Sequence, residues 1–108
     1  DVESIELPPE REWGRHAYHL FPIRVPAEDR KAIFEELRDR NIGVQVHYIP
    51  VNMLSYYRNR GHHPEDTPRT LEAYRRLISI PCFPKMSDAD IERTAETVRA
   101  VVSEKSGA

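Results

Sequence analysis

At 108 residues and 12.6 kDa, with 39% hydrophobic and 31% charged residues, the chain has the size and composition of one globular domain that buries about 60 to 70% of its unfolded surface. A formal net charge of -2 gives no electrostatic footprint for nucleic acid, and no apolar run reaches the ~18 residues of a membrane span. The lone Cys82 cannot close an intramolecular disulfide or build a multi-cysteine metal site, and neither end carries a signal or lipidation motif, so a reducing, cytoplasmic setting is expected.

Residues 1–14 are acidic, contain Pro8-Pro9 and lack apolar periodicity, which reads as a lead-in or linker. The chain begins at Asp1, as a processed protein or a piece of a longer one would. From His16 to Val25, alternation of Ala17, His19, Phe21, Ile23 and Val25 against Tyr18, Leu20 and Arg24 predicts the longest strand. Pro22 cannot donate to a ladder, so its nitrogen must face away from the neighbouring strand or lie at an edge. Pro26 opens a helix with Glu28 and Asp29 in its first turn and Ile33, Phe34 and Leu37 as its apolar stripe, stopped by Asn41 and Gly43.

The stretch from Gly43 to Val51 is rich in β-branched residues and predicts a central strand ended by Pro50. Alternation puts Val44, Val46 and Tyr48 on one face and Gln45, His47 and Ile49 on the other. The first face reads as core, and the second as the side that meets a missing neighbour. Met53 to Arg60 reads as a short helix ended by Gly61, and His62 to Asp66 as a loop. Thr67 is a suitable N-cap before Pro68 for a third helix with Leu71 and Tyr74 inward. A short strand at Ile78-Ser79-Ile80 precedes a last helix capped by Ser87 and Asp90, with Ile91, Ala95, Val98 and Val102 as its buried stripe. The order predicts an α+β fold, a small antiparallel or mixed sheet packed with helices, spanning residues 15–104 with a tail at 105–108.

Few side chains carry chemistry by pattern alone. His16 and His19, three apart on a strand, point to opposite faces and cannot grip one metal, and His62, His63, Glu65 and Asp66 read as a solvated loop. No metal site is expected. There is no phosphate loop, no nucleophile elbow and no Cys/His/Asn arrangement. Tyr56 and Tyr57 read as packing, and His47 read alone is a strand histidine satisfied by a backbone carbonyl.

Four segments together change that reading: His19-Leu20-Phe21-Pro22-Ile23-Arg24-Val25, Gly43 to Pro50 with its His47-Tyr48-x-Pro50, Tyr57-Arg58-Asn59-Arg60-Gly61, and Ser79-Ile80-Pro81-Cys82-Phe83-Pro84. In order and spacing this combination, from about Tyr18 to Val102, resembles the C-terminal segment of the DegT/DnrJ/StrS sugar aminotransferases. Within them the likeness leans to enzymes that aminate UDP-linked 4-keto-6-deoxy sugars, as in pseudaminic acid synthesis.

The resemblance implies a small α+β domain like the C-terminal domain of fold-type-I pyridoxal-phosphate (PLP) aminotransferases. It covers a cleft whose large domain, absent here, holds PLP. It further implies a homodimeric parent enzyme that moves an amino group from glutamate to a nucleotide-linked ketosugar, in cell-surface polysaccharide, glycan or antibiotic sugar synthesis. Substrate-binding residues implied in this segment are His47, Tyr48 and Asn52. Asn52 stands where the family often has a second histidine, and Leu71 where it often has an acid, with Glu72 beside it. No catalytic or cofactor-binding residue is assigned, because Lys31, Lys85 and Lys105 match no family motif, and the chain alone is expected to be inactive. The other reading is a free-standing α+β ligand-sensing or dimerisation module.

Overall fold

The computed structural model describes residues 4–105. The outer ends of the lead-in and of the tail, residues 1–3 and 106–108, lie outside the described residues. The fold is α+β, with the order β1 (Phe21–Arg24), α1 (Arg30–Asp39), α2 (Ser55–Arg58), α3 (Pro68–Arg76), β2 (Leu77–Ile80) and α4 (Asp88–Lys105). Short 3-10 turns at Ala27–Asp29, Val51–Met53 and Pro64–Asp66 lead into the first three helices.

β1 and β2 pair antiparallel, with Phe21 opposite Ile80, Pro22 opposite Ser79 and Ile23 opposite Ile78. Single bridges widen the sheet at both edges: Glu6 joins Arg24, and Gln45 joins Ser79. Glu6 therefore belongs to the sheet edge, and Ile5 packs against the core. Backbone parity explains how Pro22 is accommodated. Ser79 spends both its N–H and its C=O on Gln45, and Arg24 spends both of its own on Glu6. Pro22 shares the parity of Arg24, so its nitrogen faces away from β2 and its missing N–H costs no ladder bond.

One sheet face carries Ile23 and Ile78, fully buried and directly opposed, with Val44 beside them. Against them pack Ile33 and Leu37 of α1 and Val98, Val101 and Val102 of α4. The end of α1 shows how sequence places a helix. Asn41 adopts a left-handed φ of 63°, its N–H donates to the Arg38 carbonyl and that of Ile42 to the Leu37 carbonyl, a Schellman ending whose apolar contact is Ile42 against Leu37. Asn41, rather than Gly43, takes the left-handed position. At the start of α4 the predicted capping box is present, with Asp90 N–H donating to Ser87 Oγ at 3.1 Å and Ser87 N–H to Asp90 Oδ2 at 3.2 Å.

Four predicted features differ. The strand expected from His16 begins only at Phe21, because Tyr18 has a left-handed φ of 51° and folds its N–H back onto His16 Nδ1. The expected central strand is reduced to Gln45: after its single bridge the chain leaves the sheet and turns at Pro50, so Tyr48 is exposed rather than on the core face. Thr67 makes no side-chain cap to α3, its hydroxyl accepting from Asn52 instead. In α4 the buried residues are Thr94, Val98, Val101 and Val102, while Ile91 is 53% exposed and Ala95 is also exposed. Thr94 is buried at little cost because its hydroxyl donates to the Asp90 carbonyl at 2.8 Å. The buried stripe is thus rotated from the one that side-chain size suggests.

The C-terminal ends of α1 and α4 are tied by ion pairs: Arg40 to Glu104 at 2.6 Å and to Glu36 at 3.3 Å, and Lys105 to Glu36 at 3.5 Å. The hydrogen bond from Arg40, partly opposed by desolvation, holds the Glu36 carboxyl below its ordinary value. A depressed carboxyl stabilises the fold above the unfolded glutamate range, and that contribution is lost as pH falls through the folded pKa. Glu36→Gln should flatten this part of the acid limb of a stability-versus-pH curve, read by urea melts from pH 6 down to about 3. Leu37→Ala, at the centre of the core, should cost about 2 to 5 kcal/mol, while Ile91→Ala should cost about 1 kcal/mol or less, both read as shifts in urea midpoint.

Candidate functional site

The segment that follows the Gln45 bridge carries the three residues singled out in the sequence. Val44 is anchored in the core and Pro50 is buried, so the five residues between them form an arch with fixed feet. Arg38 of α1 donates to the Val44 carbonyl at 3.2 Å and steadies the near foot. On the arch, His47 is half-buried, Tyr48 is 65% exposed and the His47–Tyr48 peptide is cis. The two rings lie against each other with centroids 4.7 Å apart at 52°.

His47 is not satisfied in the way its sequence setting predicts. Its Nδ1 is buried, yet no backbone carbonyl or side chain among the described residues bonds to it. Tyr48 is exposed, and so are Ile49, Val51, Leu54 and Tyr56 in the residues that follow it in the chain. Five exposed apolar or aromatic side chains in nine residues give this segment an unusual share of uncovered apolar surface. Arg60 lies over the Tyr56 ring at 4.4 Å, adding a cation to its border.

Asn52 stands at the far foot of the arch. Its Nδ2 donates to the His63 carbonyl at 3.1 Å and to Thr67 Oγ1 at 2.9 Å, joining the turn after Pro50 to the entrance of α3. Its Oδ1 is buried and has no bonding partner among the described residues. The amide is therefore engaged in holding loops together. Leu71 is half-buried, and its neighbour Glu72 faces Arg76 at 3.5 Å.

Two cavities flank these elements, and the larger does not contain His47, Tyr48 or Asn52. It is an open groove of about 600 Å³ between the sheet and the outer side of α4, walled by Leu7, Phe21, Ile80, Phe83, Ile91 and others. Its apolar walls are the surfaces that α4 leaves uncovered, including the exposed Ile91. A smaller hollow of about 260 Å³ is lined by Ser55, Arg58, Asn59, His62 and His63, a polar and basic set. Among the described residues no group of three or more His, Cys, Asp or Glu side chains is placed to hold a metal ion. Nor is any helix there long and apolar enough to cross a membrane.

Residues 1–99 match the DegT/DnrJ/EryC1/StrS aminotransferase family. The chain belongs to that family. A relative, the spore coat polysaccharide biosynthesis protein SpsC of Bacillus subtilis, is 38% identical over 95 residues, 82% of this chain and 24% of SpsC. Among solved structures, Spr1654 of Streptococcus pneumoniae in its PMP form superimposes with a TM-score of 0.87 at 28% identity, over 94% of this chain and 26% of that one. PseC of Helicobacter pylori, an aminotransferase involved in the biosynthesis of pseudoaminic acid, gives a TM-score of 0.71 at 26% identity, over 80% of this chain and 24% of PseC. The chain spans about a quarter of the length of the curated relatives it matches.

The structure brings His47 and Tyr48 together on one arch and sets Asn52 at its base. What the sequence did not reveal is Thr67, whose cap-like position hides its work as an acceptor for Asn52. Asn52→Ala removes both loop bonds, each a contribution of about 0.5 to 1.5 kcal/mol. Faster amide exchange at Asp66 and Thr67, with little change in the core amides of α4, is the expected result by hydrogen-exchange mass spectrometry or NMR.

Proposed function

We propose that this chain is the small C-terminal domain of a PLP-dependent aminotransferase that aminates a nucleotide-linked ketosugar, with glutamate as amino donor. The observation that carries this reading is the arch itself. A family segment carries a His47–Tyr48 ring pair, the histidine half-buried and the tyrosine exposed, followed by uncovered apolar side chains, on a chain about a quarter of its relatives' length. Such a face is what a cleft-covering domain would turn toward a larger body.

The described residues do not fit the role of cofactor holder. Lys31 and Lys85 stand exposed, Lys105 pairs with Glu36, and none of them lines either cavity. In this proposal the Schiff-base lysine and the phosphate cradle for PLP belong to the large domain of the parent enzyme, a cytoplasmic homodimer. When bound, PLP supplies the amino-group transfer. This chain supplies recognition: His47 and Tyr48 offer hydrogen bonds to the sugar or its diphosphate, while Asn52 holds the base of the arch so that both rings keep their direction. The roles of the SpsC and PseC proteins favour a cell-surface or glycan sugar as the product.

In the full parent enzyme, His47→Ala and Tyr48→Phe should each raise the ketosugar KM or lower kcat/KM by about 10-fold, the value of one lost hydrogen bond of about 1.4 kcal/mol, with PLP absorbance and melting temperature unchanged. Unchanged kinetics alongside lower stability would show instead that the ring is structural.

A further inference from the structure

The hollow beside α2 has no task in the proposed function. Ser55, Arg58 and Asn59, at positions i, i+3 and i+4 of one helical turn, line one part of it, and His62 and His63 line the rest, around a volume of about 260 Å³. Local chain geometry brings the two parts together. Gly61, with a φ of 91°, ends α2 in a Schellman motif: its N–H donates to the Arg58 carbonyl at 3.1 Å, and that of His62 to the Tyr57 carbonyl at 3.1 Å. The reversal carries His62 back to the helix, where its ring meets Tyr57 edge-on with centroids 5.9 Å apart. His63 is held on both sides of its Cα, its N–H donating to Asp66 Oδ2 at 3.0 Å and its carbonyl accepting from Asn52 Nδ2 at 3.1 Å.

Each of the five lining side chains can donate a hydrogen bond, and none is an acid. Arg58 adds a fixed positive charge that, among the described residues, pairs with no carboxylate, unlike those of Arg40 and Arg76. Nearby peptide oxygens are spent as well: the carbonyls of Ser55, Tyr57, Arg58 and His63 all accept bonds from within the chain. The acids next in sequence, Glu65 and Asp66, do not line the hollow, and Asp66 is engaged by the His63 N–H. We propose that this hollow binds a phosphoryl group. A tetrahedral phosphate presents acceptor oxygens in more directions than a planar carboxylate, which matches a guanidinium fork, a hydroxyl, an amide and two imidazole N–H groups. Its volume falls below the about 300 to 1,000 Å³ of sites that enclose drug-sized ligands, so it suits the phosphoryl group and not a whole nucleotide. Neither His47 nor Tyr48 lines it, and the inference does not rest on their reading. A free phosphate or phosphomonoester and the diphosphate of a nucleotide-linked sugar share this chemistry, and the experiment separates them.

The experiment is an NMR titration of this chain, ¹⁵N-labelled and near neutral pH, with inorganic phosphate and separately with UDP-glucose. Sodium chloride at matched ionic strength is the control, because exposed charges respond to salt in general. The expected result is a saturable shift of the backbone amides of residues 55–63, the Arg58 Nε–H and the His62 and His63 rings, absent with chloride. Arg58→Gln should weaken binding about 10-fold, the loss of one charge-assisted hydrogen bond. Arg60→Gln removes an equal charge that lies over the Tyr56 ring and outside the hollow, and should leave the affinity unchanged. Tighter binding of inorganic phosphate assigns the hollow to a free phosphate or phosphomonoester, and tighter binding of UDP-glucose to the diphosphate of a nucleotide-linked sugar; either supports the site. Shifts that do not saturate, that appear equally with chloride, or that persist at unchanged affinity in an Arg58→Gln variant whose amide spectrum shows the fold intact overturn the proposal. Equal weakening by Arg60→Gln, or a response confined to His47 and Tyr48, overturns it too. The readout is independent of turnover, so its failure would leave the kinetic test of His47 standing.

Discussion

The pair of backbone hydrogen bonds between Ser79 and Gln45 is the constraint on which the site depends. β2 spends its inner-edge bonds on β1 and, at Ser79, its outer ones on Gln45. One residue of pairing suffices because both flanks are held by other means. Val44 is fixed in the core below, and Pro50 is buried at the end of the arch. With those points set, His47 lies on a short span between anchored ends, outside the sheet itself. A ring held on a short span between buried anchors keeps its direction without lying in regular structure.

The core that supports this arrangement is built from a few opposed aliphatic residues. Ile23 and Ile78 meet across the sheet, and α1 and α4 close over them with Ile33, Leu37, Val98, Val101 and Val102. That layer covers one part of the sheet only. The groove beside Phe83 and Ile91, and the surface from Tyr48 to Tyr56, stay open. Buried aliphatic surface gives the small domain its shape, and uncovered apolar surface gives it places to meet something else. The two cavities divide in character accordingly: an apolar groove between sheet and α4, and a basic hollow at α2.

The helices were readable in the sequence because their ends carry explicit chemistry. Ser87 with Asp90, Pro68 after Thr67, and Asn41 after Arg40 are local signals whose energy is spent locally. The accommodation of Pro22 was readable too, since a residue without an N–H leaves few geometries open. Strand lengths were not, because β-branched runs report a preference for extended backbone and not the presence of a partner to pair with. Gly43 to Val51 has the composition of a strand but meets β2 at Gln45 alone. The buried side of α4 was misplaced for a related reason: Ile91 is larger than Thr94, but the threonine satisfies its hydroxyl within the helix and can be enclosed. At the site, His47 and Tyr48 were found through family likeness, whereas the enclosure of Nδ1 arises from three-dimensional packing that spacing does not encode.

The account turns on whether this arch faces the substrate. A crystal structure of the full parent enzyme with its nucleotide-linked ketosugar bound tests that most directly. The account predicts His47 Nε2 and the Tyr48 hydroxyl within about 3.2 Å of oxygen atoms of the sugar or diphosphate. Rings turned to bulk solvent, with the substrate held entirely by other segments, would contradict it.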